Sequence, residues 1–263
     1  MNSSLPFQLR WQRLFRHRAD RLFVVPLDHS VTDGPVALDG LDRLLGDIAG
    51  TGVDAVVLHK GALRHVSPRH FQEMALILHL SASTGLAPDP NDKRLVATVD
   101  EAVRLGADAV SVHVNLGCAD EARQLGDLAA VAADCDRWQV PLLVMIYPRG
   151  PHIPDPHDPV LIERAVTVAV DLGADVVKTY APRHPADLAR ITGRCPVPVI
   201  VAGGAYDGDE GALLGRVGDA LQGGASGVAI GRAIFQAAEP AAATRKIADL
   251  VHGRQELVTG AHS

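Results

Sequence analysis

Lysine is scarce in this chain. Its 263 residues hold four, Lys60, Lys93, Lys178 and Lys246, against twenty-one arginines. Aromatic residues make up only 4%, while hydrophobic residues reach 47%. The core must therefore be built from Val, Leu, Ile and Ala, which favours parallel strands covered by helices. The three cysteines, Cys118, Cys135 and Cys195, form no close pair and no metal-ligand spacing. That excludes a disulfide framework, and an odd count without a secretory signal points to a reducing, cytoplasmic setting. No apolar run approaches the roughly 18 residues of a membrane span, so no membrane partner is expected. There is no basic block either, and the net charge of −6 argues against nucleic acid. The cluster Arg10, Arg13, Arg16, Arg18 and Arg21 reads as the solvated face of an N-terminal helix over about residues 5–20.

What the chain does have is a series of short apolar runs. Leu22–Leu27, Ala55–His59, Leu76–Leu80, Ala109–Val114, Leu142–Tyr147, Asp175–Thr179, Val197–Ala202 and Gly227–Ile230 read as strands. The stretches between them are long enough for the crossovers that parallel strands need. Several show helical periodicity, such as Leu161, Ile162, Ala165, Val166 and Val168. A weak repeat marks the helix-to-strand turns: Thr51-Gly-Val-Asp-Ala-Val, Leu105-Gly-Ala-Asp-Ala-Val, Leu172-Gly-Ala-Asp-Val-Val and Gly223-Gly-Ala-Ser-Gly-Val. Each places a glycine where a helix stops. Eight such units predict one TIM barrel over residues 1–263, closed by a C-terminal helix and tail over about 237–263. A doubly wound open sheet is the alternative. Its glycine-rich loop would follow the first strand, where this chain reads Pro26-Leu-Asp-His-Ser.

Barrel chemistry gathers at the C-terminal strand ends. There the sequence places Asp28 and His29, His59 and Lys60, His79, His113 and Asn115, Tyr147 and Arg149, Lys178 and Tyr180, Gly203 and Gly204, and Gly231 and Arg232. Lys178 ends an apolar run. A buried lysine has a lowered pKa and can attack a ketone to form a Schiff base; the plainer reading is a lysine that snorkels to solvent. Lys60 is its rival, whereas Lys93 lies on a Pro-rich loop and is a poor candidate. Tyr147 and Asp28 could serve the proton transfers that a Schiff base requires. The paired glycines with Arg232 suit a phosphate, because backbone N–H groups can approach it closely. His29, His59, His113, Lys60 and Arg149 are read as substrate contacts. One histidine on each of four strand ends also admits a metal site, but none shows ligand spacing, so no metal is assigned.

Taken together, Pro26-Leu-Asp-His-Ser-Val-Thr-Asp-Gly-Pro35, His59-Lys-Gly61, His79-Leu-Ser-Ala-Ser-Thr84, Asp89-Pro-Asn-Asp-Lys93, Ala109-Val-Ser-Val-His-Val-Asn115, Val177-Lys-Thr179, Val201-Ala-Gly-Gly204 and Gly227-Val-Ala-Ile-Gly-Arg-Ala-Ile-Phe-Gln236 resemble the DeoC/LacD-type class I aldolases, nearest to their heptulosonate synthases. The resemblance runs from about Leu22 to Gln236. It differs where the lysine is followed by Thr179-Tyr-Ala-Pro182 and where Ser30 stands in place of a common glycine. It implies a TIM barrel, a homo-oligomer of up to ten subunits, and a Schiff base with no cofactor. It puts the reactive lysine at Lys178, the tyrosine at Tyr147, the aspartate at Asp28, and the phosphate at Gly203, Gly204, Gly231 and Arg232. The implied reaction joins a three-carbon unit from 6-deoxy-5-ketofructose 1-phosphate or dihydroxyacetone phosphate to L-aspartate semialdehyde, in aromatic amino acid or aminobenzoate biosynthesis. Fructose-bisphosphate aldolase, and a silent barrel that only binds a sugar phosphate, are the alternatives.

Overall fold

The computed structural model describes residues 4–35, 40–204, 206 and 208–253. Eight parallel strands close into a barrel, and each corresponds to one of the expected apolar runs. They are β1 (Leu22–Pro26), β2 (Ala55–Leu58), β3 (Ala75–His79), β6 (Ala109–Leu116), β7 (Leu142–Pro148), β8 (Val176–Thr179), β9 (Val199–Ala202) and β10 (Gly227–Ala229). The order around the barrel is β1-β10-β9-β8-β7-β6-β3-β2, closed by the pairing of β2 with β1, Ala55 opposite Val24. Two further strands, β4 (Ser81–Ala82) and β5 (Arg94–Leu95), form a small antiparallel hairpin beside the mouth.

The outer layer holds α3 (Leu41–Ile48), α4 (Val99–Arg104), α5 (Glu121–Trp138), α6 (Pro159–Asp171), α7 (Pro185–Thr192), α8 (Glu210–Gln222) and α10 (Pro240–His252), with short α2 (Ser30–Asp33) and α9 (Arg232–Phe235) at the mouth. Each longer helix presents an apolar stripe at three- and four-residue spacing, such as Ile162, Ala165, Val166 and Ala169 of α6. Between β2 and β3 two 3-10 turns, Ala62–His65 and Pro68–Gln72, replace the expected helix. The C-terminal helix is α10, and residues 254–263 of the expected tail lie outside the described residues.

The repeat seen in the sequence has a physical basis. Its glycines, Gly52, Gly106, Gly173 and Gly224, all have left-handed φ between 76° and 100°. Its aspartates latch neighbouring strands together. The carboxylates of Asp54, Asp108 and Asp175 accept the backbone N–H of Phe23, Leu76 and Leu142, at 2.7, 2.9 and 2.9 Å. Each bond satisfies a donor at the base of the preceding strand.

The N-terminal helix, α1 (Leu5–Leu14), stops well short of residue 20. The chain must reverse into β1, and an Arg18–Arg21 bridge makes that turn. The basic cluster is also not simply a solvated face. Arg13 pairs with Asp108 at 2.6 Å, and Arg10 and Arg16 donate to the carbonyls of Gln139 and Gln72. These contacts hold α1 against the base of the barrel. Trp11, Leu14 and Phe15 there join the interior cluster of Leu22, Val24, Val57, Ile77 and Leu143. The helix thus plugs the barrel floor, and only the other end is left for chemistry.

Candidate active site

Side chains along a strand alternate between its two faces. Leu143 and Met145 point into the barrel, so Tyr147 and Arg149 follow them; Val176 does the same for Lys178. By the same alternation Asp28, His59, His79 and His113 extend the inner faces of β1, β2, β3 and β6. Tyr147, Arg149, Lys178, Asp28, His59, His79 and His113 line one cavity of about 260 Å³ at the C-terminal ends of the strands, together with His29, Gly203, Gly204, Gly231 and Arg232.

Lys60 does not reach this cavity. It follows His59 by one residue and so falls on the outer face, where it pairs with Glu101 of α4 at 3.0 Å. Lys93, set aside as a loop residue, does line the cavity and is only 8% exposed. Lys246 pairs with Glu210. Of the four lysines, two therefore face carboxylates and two enter the cavity.

Lys178 is 6% exposed, and its Nζ lies 3.8 Å from the thioether of Met145. No carboxylate sits within ion-pairing distance of it among the described residues. Burial lowers its pKa; Asp28 pulls the other way, while Arg232 and Arg149 push it further down. Burial would raise the pKa of Asp28, but the surrounding groups that become cationic when protonated, His79 and then Lys178 foremost, hold it well below the ordinary carboxylate range. Oδ1 of Asp28 and Nδ1 of His29 are buried without a hydrogen-bond partner among the described residues. The two atoms stand 3.8 Å apart.

His79 is hydrogen-bonded to Ser111 at 2.8 Å and stands 3.8 Å from Asp28. Burial nonetheless pushes its pKa down to about 4, so the ring is neutral at pH 7. His113 is bonded through Nε2 to Oδ1 of Asn115 at 2.9 Å. The amide nitrogen of Asn115 donates to the carbonyl of Asn91, so its oxygen must face the ring, and the proton sits on Nε2. Burial also raises the phenol pKa of Tyr147 far above its usual value, leaving the group protonated. Its ring packs on His113 and on Tyr180, a strand-end residue to which the sequence assigned no role. Tyr180 in turn accepts a hydrogen bond from the Arg149 guanidinium.

On the opposite wall, a Cβ on Gly203 would meet Ile230 at 2.9 Å, and one on Gly231 would meet the Pro26 carbonyl at 2.4 Å. Only glycine fits these two positions. The result is a wall of bare backbone next to Arg232. Among the described residues, no three His, Cys, Asp or Glu side chains are placed to hold a metal ion.

The DeoC/LacD aldolase family model matches residues 22–237, nearly the whole barrel. The chain belongs to the DeoC/LacD aldolase family. It is 58% identical over 255 residues to the 2-amino-4,5-dihydroxy-6-oxo-7-(phosphonooxy)heptanoate synthase of Streptomyces griseus, covering 96% of this chain and 93% of that one. It is 44% identical to the 2-amino-3,7-dideoxy-D-threo-hept-6-ulosonate synthase of Halobacterium salinarum, covering 89% and 87%. Among solved structures it resembles an archaeal fructose-1,6-bisphosphate aldolase whose catalytic lysine is covalently bound to the carbinolamine intermediate. That match has a TM-score of 0.84 at 28% identity and covers 94% of this chain and all of the other.

Proposed function

We propose that this aldolase joins dihydroxyacetone phosphate to L-aspartate semialdehyde through a Schiff base on Lys178. One observation carries the proposal: a buried lysine that lines the cavity with no carboxylate within ion-pairing distance. Such a group favours its neutral, nucleophilic form.

The substrates follow from the product named for the 58% relative. That seven-carbon chain divides between C4 and C5. C1 to C4 carry the carboxylate, the amine and the former aldehyde carbon of aspartate semialdehyde. C5 to C7 carry the hydroxyl, ketone and phosphate of dihydroxyacetone phosphate. The product of the 44% relative lacks oxygen at C7, which marks a different donor, 6-deoxy-5-ketofructose 1-phosphate. Fructose-bisphosphate aldolase finds less support, at 28% identity.

The Lys178 amine adds to the donor ketone, and loss of water gives the imine. A proton leaves the hydroxymethyl carbon to form the enamine. That carbon then bonds to the aldehyde carbon of the acceptor, whose oxygen takes up a proton. Water hydrolyses the new imine and frees Lys178, so no net water is consumed. Tyr147, held protonated by burial, gives a proton to the departing carbinolamine oxygen. Asp28, ionised and with Oδ1 unpartnered, accepts protons and orients donor hydroxyls. The bare backbone at Gly203, Gly204 and Gly231 and the Arg232 guanidinium hold the phosphate.

No helix among the described residues is long and apolar enough to cross a membrane, and all three thiols are free. The proposal includes a cytoplasmic homo-oligomer of up to ten subunits acting in aminobenzoate biosynthesis; light scattering reads its size.

Borohydride added with dihydroxyacetone phosphate should fix an adduct on Lys178, read by peptide mass spectrometry. Lys178→Met should abolish adduct and turnover while leaving the circular dichroism spectrum unchanged, and EDTA should leave the wild-type rate unchanged. With L-aspartate semialdehyde present, product mass separates the phosphorylated from the deoxy product. An adduct on Lys60 or Lys93, or turnover with only the deoxy donor, would overturn the assignment.

A further inference from the structure

Lys93 is the second lysine in the cavity, and the chemistry above gives it no role. The loop between β4 and β5 is built to deliver it. The carbonyl of Asn91 accepts hydrogen bonds from Asn115 and Gln124, both fully buried, at 2.9 and 2.8 Å. The carbonyl of Lys93 itself accepts from Arg123 at 2.6 Å. Its ammonium donates to the Ser83 hydroxyl at 2.5 Å, and that hydroxyl donates onward to the Pro90 carbonyl. Arg149 lines the same cavity, with Tyr180 as its hydrogen-bond partner. Among the described residues, neither Lys93 nor Arg149 has a carboxylate within ion-pairing distance. Lys93 is buried and Arg149 half-buried over the rings of Tyr147 and Tyr180, and two such cations facing one cavity without an ion-pair partner favour an anion between them. Burial and next the charge of Arg149 lower the pKa of Lys93, while Asp28, Asp33 and Asp89 raise it from farther away.

Barrel order says which anion. Lys178 on β8 separates two halves of the mouth. On one side lie β9 and β10 with their glycines and Arg232. On the other lie β7 with Arg149, then β6 and β3, after which the Lys93 loop follows. The ketone carbon of dihydroxyacetone phosphate has the phosphate-bearing carbon on one side and the nucleophilic carbon on the other. With the phosphate toward β9 and β10, the nucleophilic carbon faces β7 and β6, and the aldehyde must approach there.

We infer that Lys93 and Arg149 together bind the α-carboxylate of the amino-acid aldehyde and so set acceptor specificity. Asp33, which lines the same mouth at the end of α2, faces the α-ammonium. The assignment rests on the proposed condensation with L-aspartate semialdehyde and names the acceptor end of that site.

Donor activation and acceptor use are measured separately. Exchange of the C3 hydrogen of dihydroxyacetone phosphate with deuterated water, without acceptor, reads Lys178 chemistry alone. Condensation is then assayed with L-aspartate semialdehyde, with succinate semialdehyde, which lacks the amine, and with 3-aminopropanal, which lacks the carboxylate. Lys93→Met should keep the wild-type exchange rate, which also shows that it folds. Its kcat/KM for both carboxylate-bearing aldehydes should fall about ten- to a hundredfold, the effect of one charge-assisted hydrogen bond. Its use of 3-aminopropanal should be unchanged, and Lys93→Arg should recover part of the loss. Equal losses on all three aldehydes, loss of exchange, or undiminished use of L-aspartate semialdehyde would overturn the subsite alone. Wild-type protein without exchange would overturn the aldolase reading, and this assignment with it.

Discussion

At the scale of single residues, the site is decided by which way a side chain faces. Lys178, Tyr147 and Asp28 were legible because each ends an apolar run, and the inner-face alternation carries them into the cavity. Lys60 ends a run too, but a shift of one residue turns it outward onto Glu101. Lys93 escaped because its loop has no periodicity; only the hydrogen bonds to its carbonyl neighbours fix its place. The charge of Asp28 favours the ammonium form of Lys178. In Asp28→Asn the titration midpoint of Lys178 should therefore fall further below 10.5 than in the wild type. Competitive acetylation of Lys178 across pH, read by peptide mass spectrometry, measures that midpoint. An unchanged or raised midpoint would show that the two groups do not interact.

At the scale of elements, the repeat was visible before its purpose was. The Gly-x-Asp turns showed where strands begin, but not that each aspartate reaches across to the strand before it. The hairpin β4–β5 stayed hidden because two-residue strands leave no pattern. The latches are not equivalent. Asp108 has Arg13 beside it, whereas Asp175 has no cation in ion-pairing range among the described residues. Burial raises the pKa of Asp175 from 3.8 to about 6. A raised carboxylate favours the folded state most when protonated, so stability falls as pH rises from about 4 through 6. Asp175→Asn keeps an acceptor for the Leu142 N–H and removes the charge. Its Tm should exceed that of the wild type at pH 7, by a margin that shrinks below pH 6 and vanishes below about 4. A gain that does not change with pH would point to another cause.

At the scale of the whole molecule, the eight strands were legible because strands buried on both faces read as continuous apolar runs. The place of α1 was not, since an amphipathic helix reveals that it has an apolar face but not what it covers. Phe15, 6% exposed, seals the floor with Trp11 and Leu14. Phe15→Ala should cost roughly 3–5 kcal/mol in urea unfolding, while the folded fraction keeps its kcat, since the mouth is at the far end. A fall in kcat without loss of stability would mean that the floor communicates with the site. The plug also makes the barrel a vessel with one opening, and that has a kinetic consequence. If the donor is held on the buried Lys178 as proposed, it has to be seated before the acceptor fills the space through which it came. Binding becomes a queue with the donor first, and an acceptor that arrives early bars the way. The enzyme would then be slowed by an excess of its own second substrate, and the completed seven-carbon chain can leave only by the door its two halves used.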